Sequence, residues 1–357
     1  MIDQNRISGN WISKISEQNQ IVDPTLVEKV IRAFLLLEGL AKHGLNFTFK
    51  GGTSLMLHFK SPKRLSIDID IITQSTIEEV RQVLGKLMDS QGFSHFLENK
   101  RADKASTLIS KAHFKCFYTP TYKSNKELDF VILDVLFEES MYESTLNLPV
   151  ASVFVPQLSH PILVKAPSLE DLLGDKLTAF APNTTGIPYL KNDQGMGMEI
   201  IKQLYDIGNL FDVAQDLSIV RNTFLKNAKI ELGYRNLLEL GSAQVMQDVF
   251  QTALCISSRG LYGNGDFEEL QRGIQRIKSF IFSERFHIEN AIITSAKVAY
   301  LITLVDSNKV HIARYSNPLI MKSWEIKDSS FLRLNKLKKS NPEAFFYWVK
   351  TLELRVL

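Results

Sequence analysis

The stretch Leu65-Ser66-Ile67-Asp68-Ile69-Asp70-Ile71-Ile72 constrains the fold of this chain more than any other feature. In an extended strand, Leu65, Ile67, Ile69 and Ile71 fall on one face, and Ser66, Asp68 and Asp70 on the other. The apolar face goes to a core, so the carboxylates project from the opposite side. Two residues apart, Asp68 and Asp70 have Cα atoms roughly 6.5–7 Å apart. Such side chains converge on one hard cation, or on two held about 3.5–4 Å apart. Magnesium suits them because it takes oxygen ligands and leaves room for waters and substrate phosphates. Neither aspartate sits at a turn or a helix cap, where it would have a local structural task. A strand with one solvated face shows the same alternation, so the neighbouring residues decide.

Just upstream, Leu45-Asn46-Phe47-Thr48-Phe49 alternates as a short strand and runs into Gly51-Gly52-Thr53-Ser54, and Thr53 to Phe59 reads as a short helix. Glycines let a backbone approach a phosphate closely, and the first N–H groups of the helix then point at the anion. Thr53 or Ser54 adds a hydroxyl. Paired glycines also serve an ordinary tight turn. A phosphate cradle beside a carboxylate pair makes a nucleotide site, which a third carboxylate would complete. Asp134 lies inside the apolar run Val131-Ile132-Leu133-Asp134-Val135-Leu136, where a charge is costly unless paired or metal-bound. A buried structural hydrogen bond would explain it equally, and Asp129 is the alternative third carboxylate.

Asp23 and Pro24 start a helix over 24–43, with Val27, Val30, Ile31, Phe34, Leu37 and Ala41 at helical spacing. Residues 76–89 read as a second helix, and 113–118 and 128–137 as strands joined by the turn-rich 119–126. Ser168 opens a helix with Asp171 placed for a capping box. Residues 183–198, with three glycines and a proline, read as a mobile loop, and 199–214 as a helix. Beyond that the chain is almost wholly helical, broken at Ser257–Gly265, after which Asp266 and Glu269 start another helix. This order predicts an α/β (α+β) fold with a mixed sheet, followed by a mostly helical C-terminal domain. At 357 residues the chain exceeds one ordinary core. The expected division is 1–215 and 216–357, as two lobes with a cleft.

Lys176 shares its helix with Leu169, Leu172, Leu173, Leu177 and Phe180, on or beside one face. It therefore points to the core side, where an ammonium needs an anion, and a nucleotide phosphate would serve. Asp206 has Lys202 four residues before it, the spacing of an ordinary helix-surface ion pair.

The composition, 45% hydrophobic and 23% charged, is that of a globular protein. A net charge of +3 permits a nucleic-acid partner without requiring one. Cys116 and Cys255 are too few for a disulfide framework or a cysteine zinc site and fit a reducing compartment. The polar N-terminus carries no signal peptide, and the apolar stretches Ala33–Leu37 and Val298–Val305 are too short to span a bilayer. The expectation is a cytoplasmic chain with no membrane partner. The seven histidines show no paired metal-ligand spacing and read as packing or surface residues. Near the C-terminus, Arg314, Lys322, Lys327, Arg333, Lys336, Lys338 and Lys339 interleave with Tyr315, Trp324 and Phe331. That mixture suits an RNA backbone and its bases, and equally a charged helix face over a core.

The segment Phe49-Lys50-Gly51-Gly52-Thr53-Ser54-Leu55, followed by Arg64-Leu65-Ser66-Ile67-Asp68-Ile69-Asp70, resembles the signature of the AbiEii/AbiGii-type nucleotidyltransferase toxins. These belong to the polymerase-β-like nucleotidyltransferase superfamily and are related to the MenT toxins. The resemblance continues at Ser168–Leu177 and at Lys202-Gln203-Leu204-Tyr205-Asp206-Ile207, covering roughly residues 25–215. It departs at Gln203, where the family's Lys-Asp-x-x-Asp motif has its first aspartate. It implies a nucleotidyltransferase fold and transfer of a nucleoside monophosphate from a nucleoside triphosphate to an acceptor hydroxyl. Gly51, Gly52, Thr53, Ser54 and Ser66 would bind nucleotide. Asp68, Asp70 and Asp134 would hold one or two magnesium ions. Lys176 would neutralise the triphosphate and Asp206 would orient Lys176 or the acceptor. Ser66 is also a candidate for regulatory phosphorylation. The implied acceptor is RNA, chiefly the 3′ end of tRNA. The implied setting is the toxin of a toxin–antitoxin or phage-defence system, a monomer with a cognate antitoxin. Nucleotidylation of a protein, or inhibition by nucleotide or RNA binding without transfer, are the alternatives.

Overall fold

In the computed structural model, residues 1–19, 23–99, 110–122 and 126–355 are described. They form two compact units, Met1–Ser168 with Ser279–Arg285, and Leu169–Lys278 with Phe286–Leu357. A boundary at residue 215 would fall inside the second unit.

The first unit opens with α1 (Gly9–Gln18) and α2 (Pro24–Lys42), the latter capped by the Asp23 side chain on Thr25 N–H. Helix α2 is buried along most of its length, including Val30, Ile31, Phe34 and Leu37. Next come β1 (Thr48–Lys50), α3 (Gly51–His58), β2 (Ile69–Thr73) and α4 (Ile77–Ser90). A capping box between Thr76 and Glu79 starts α4. Strands β3 (His95–Glu98), β4 (Lys111–Tyr118) and β5 (Asp129–Phe137) complete a sheet ordered β1-β2-β5-β4-β3. Only β2 and β5 run parallel, so the sheet is mixed. Strands β4 and β5 alternate cleanly. Ala112, Phe114, Cys116 and Tyr118, with Val131, Leu133 and Val135, are buried on one face, toward the core that α2 shares. A separate hairpin, β6 (Thr145–Pro149) with β7 (Leu163–Pro167), ends the N-terminal run.

Extended pairing over Leu65–Ile72 is realised only in its second half. Before Ile69 the backbone groups find other partners: Leu65 N–H donates to the Phe280 carbonyl, and Arg64 bridges Ile281. The Thr53 hydroxyl donates to the Asp68 carbonyl. The first unit thus borrows a strap from residues 279–285.

The second unit holds α5 (Leu169–Ala179), a two-stranded turn of β8 (Leu190–Lys191) and β9 (Gln194–Gly195), and α6 (Gly197–Val213). The hairpin lies in the stretch expected to be an open loop. Helices α7 (Leu217–Tyr234), α8 (Gly241–Ser257), α9 (Phe267–Arg276) and α10 (Ile288–Asp306) follow, and α9 is capped by Asp266 on Glu269 N–H as expected. The unit closes with α11 (Leu337–Ser340) and α12 (Pro342–Arg355). Helix α10 is long and apolar enough to cross a membrane, which corrects the expectation for this stretch. Most of it is buried against α8, α12 and α6, as the central helix of the unit.

Candidate functional site

Strand register builds the first part of the site. Asp70 on β2 pairs with Asp134 on β5, and Asp134 pairs with His113 on β4. All three lie on the sheet face opposite Val131, Leu133 and Val135, so they form a row across three strands. Asp134 therefore does not sit in the core, although its flanking residues do, and its side chain is 38% exposed. His113 Nδ1 lies 2.5 Å from Asp134 Oδ1, a charge-assisted pairing that fixes one carboxylate oxygen. Sequence reading missed His113, because its spacing to Asp134 carries no signal until strand register is known.

Asp129 occupies the other, buried face. Lys29 Nζ donates to Asp129 Oδ1 at 2.9 Å, and Lys126 lies 3.5 Å from Oδ2. Burial pushes the Asp129 carboxyl up. Hydrogen bonds from Lys29 and the Phe130 N–H, with the nearby charges of Lys29 and Lys126, outweigh it and hold the group below its ordinary value. Asp129 is accounted for as the partner of Lys29.

The glycine pair closes on these carboxylates. Gly51 has φ +77°, a conformation that favours glycine, and a Cβ there would collide with the Asp70 carboxylate. A Cβ on Gly52 would lie 2.5 Å from Arg64 Nη2 and 2.9 Å from Ser66 Oγ. The start of α3, Asp70, Ser66 and a buried guanidinium therefore meet at one point. The sequence signature includes Arg64 but assigns it no role in the site. Thr53 and Ser54 are fully buried. Thr53 Oγ1 donates to the Asp68 carbonyl at 2.5 Å, and Ser54 Oγ to the Gly51 carbonyl at 2.8 Å. Both hydroxyls brace the turn. Asp68 is half-buried and immediately precedes β2.

No three His, Cys, Asp or Glu side chains among the described residues are grouped as a metal cage. The carboxylates of Asp68 and Asp70, beside a backbone cradle that admits no Cβ, instead suit magnesium shared with phosphate oxygens.

The second unit carries its own paired centre. On α5, Lys176 is 5% exposed, packed beside Leu172, Leu173 and Leu177. Its ammonium lies 2.7 Å from Asp206 Oδ2, and Asp206 is 3% exposed. The anion that Lys176 was expected to need is thus Asp206 on α6, with the Gln203 carbonyl oxygen accepting a second bond at 3.2 Å. Gln203 replaces a charged acceptor by a neutral one without losing the hydrogen bond. Arg314 from the C-terminal basic series, and the loop residue Arg259, are absorbed structurally. Arg314 donates to the carbonyls of Phe211 and Ala214, and Arg259 pairs with Glu289.

The sequence model of the family described as "Nucleotidyl transferase AbiEii toxin, Type IV TA system" matches residues 35–295. No protein of curated function matches the chain. Among solved structures, it is similar to a candidate nucleotidyltransferase from H. pylori at 14% identity and a TM-score of 0.45. That match covers 80% of this chain and 97% of the other. It is similar also to MenT4, a nucleotidyltransferase toxin from Mycobacterium tuberculosis H37Rv, at 11% identity and a TM-score of 0.44. That match covers 97% of this chain and 99% of the other.

Proposed function

The chain belongs to the AbiEii nucleotidyltransferase toxin family, and from that premise we propose that it transfers a nucleoside monophosphate from a nucleoside triphosphate to the 3′ end of a tRNA in the cytoplasm. The observation that carries this reading is the closure of Gly51 on Asp70, which sets bare backbone at the head of α3 against the carboxylate and admits no side chain there.

The N–H groups at the start of α3 receive phosphate oxygens of the bound triphosphate. Arg64, beside Gly52, adds positive charge to the same cradle. Asp68 and Asp70 would hold magnesium together with the triphosphate, and the ion would supply charge neutralisation at the reacting phosphoryl group. Asp134 completes the carboxylate row, with His113 fixing its orientation. Within the second unit, Asp206 and Gln203 fix the Lys176 ammonium, which keeps a further N–H donor for an anion. The acceptor hydroxyl attacks the α-phosphorus in line and pyrophosphate leaves, so catalysis rests on positioning and charge neutralisation. Growth arrest follows from blocking the acceptor end, and a cognate antitoxin relieves it.

The test incubates purified chain with magnesium, each labelled nucleoside triphosphate, a total tRNA pool and a lysate protein fraction, beside Asp70→Asn. Label on tRNA that Asp70→Asn abolishes is the expected result. Label on protein alone would replace RNA by a protein acceptor. No label on either would leave a binding-only inhibitor.

A further inference from the structure

Between α10 and α12 the chain runs through an irregular segment, Val310–Ser340, with seven basic and two acidic side chains. Its net charge is +5 against +3 for the whole chain, so the rest of the molecule is slightly acidic. The segment ends in a continuous run: a 3₁₀ turn over Leu332–Lys336 that passes directly into α11. Residues three apart eclipse one another in a 3₁₀ helix and are surface neighbours on an α-helix, so this run sorts into three stripes. Leu334 and Leu337 are buried. Asn335 and Lys338 grip the preceding strand of chain: Asn335 bonds both the N–H and the carbonyl of Ile326, and Lys338 donates to the carbonyls of Lys322 and Trp324. The third stripe is Arg333, Lys336 and Lys339, all exposed.

None of these three, nor the exposed Lys322 and Lys327, forms an ion pair among the described residues, whereas Lys29, Arg81, Lys297 and Lys350 all do. The helix dipole rewards a cation at the end of the run, where Lys339 sits, and disfavours Arg333 at its start. Trp324, one of the interleaved aromatics, stacks on Phe346 at 5.7 Å between ring centroids. It therefore serves to hold the segment down on α12.

We propose that Arg333, Lys336 and Lys339 form a docking ridge for the phosphate backbone of RNA. The proposal deepens the RNA-transfer reading and rests on it. Successive cations on the ridge stand roughly 4.5–6 Å apart along the run, and none of the three is held by an acidic side chain among the described residues. The ridge reads charge and not sequence, so it supplies sequence-independent affinity.

The test measures binding of the full chain to a total tRNA pool by fluorescence anisotropy across a salt series, with no nucleoside triphosphate present. The ridge variant is Arg333→Ser/Lys336→Ser/Lys339→Ser. The control, Lys14→Ser/Lys42→Ser/Lys86→Ser, removes the same charge from exposed positions on the first unit. The ridge variant is expected to flatten the slope of log affinity against log salt by about 2–3, and to bind at least about 10-fold more weakly at low salt. The control variant and the charge-conserving Arg333→Lys/Lys336→Arg/Lys339→Arg retain the wild-type slope. Equal losses in ridge and control variants, an unchanged ridge variant, or no binding by wild type would each overturn the ridge. So would a ridge variant that keeps tRNA and loses polyglutamate, which would identify an acidic protein as the occupant. Because binding is read without transfer, a chain that binds through the ridge but labels no RNA refutes the transfer reading alone.

Discussion

His113 holds Asp134 from the adjacent strand, Nδ1 to Oδ1 at 2.5 Å, and Asp134 is in turn the register partner of Asp70. A carboxylate pinned at one oxygen presents the other in a fixed direction. His113→Leu should leave the sheet intact and let Asp134 rotate. Nucleotide transfer is expected to fall about 10–100-fold, the range for losing a supporting partner of a metal-site ligand. Equilibrium binding of the triphosphate, measured separately, should change much less. Equal loss of both would show that His113 supports the fold of the sheet and not the orientation of Asp134.

Gly51 and Gly85 form a matched pair of glycines. Gly51→Ala places a Cβ against Asp70 in a left-handed backbone, which alone costs about 1–2 kcal/mol. Gly85 lies inside α4 with open space around it, so Gly85→Ala should stabilise by about 0.5–1 kcal/mol. Urea midpoints should move in opposite directions, and only Gly51→Ala should lose transfer.

Lys176 and Asp206 are both buried, so removing one takes from the other its opposite charge. Lys176→Met should cost about 3–5 kcal/mol in urea unfolding. Adding Asp206→Leu removes the remaining charge and should restore most of that loss without restoring transfer. If the double variant stays as unstable as the single, the ion pair is not what the lysine contributes to stability.

Asp129 links stability to acid. Its folded carboxyl lies below the ordinary value, so its contribution is present above the unfolded value and is lost as pH falls through the folded one. Asp129→Asn should therefore destabilise at neutral pH, with the gap from wild type closing below about pH 4. A gap that is constant from pH 7 to pH 3 would mean that Lys29 gains nothing from the carboxylate charge.

The sequence made the carboxylate row half visible. Alternation in β2 and the run around Asp134 mark both aspartates, because a period of two survives in any register. It could not show that they are neighbours, since the parallel pairing of β2 with β5 joins segments more than sixty residues apart. His113 stayed hidden for the same reason, whereas the Lys176–Asp206 pair was implied by the family resemblance alone, because local spacing offered Lys202 as the partner of Asp206. Asp134 misled in one respect: flanking apolar residues imply burial only if both faces of the strand are covered. The caps of α2 and α9 were legible because each is decided within four residues. The domain division was not, because α5 and α6 look like a continuation of the α/β pattern until their packing with α7 and α9 is seen.

The strap of residues 279–285 has a consequence for how the molecule is made. Chains fold from the N-terminus as they emerge, at about 5–20 residues per second. The stretch from Ser168 to Arg285 therefore takes on the order of ten seconds to synthesise. During that interval the Leu65 N–H and Arg64, which lead into Asp68 and Asp70, wait for the backbone of Phe280 and Ile281. A chain cut short of residue 279 carries the whole glycine and carboxylate signature without the backbone that secures it, so the approach to Asp68 and Asp70 stays unsecured until most of the chain has left the ribosome.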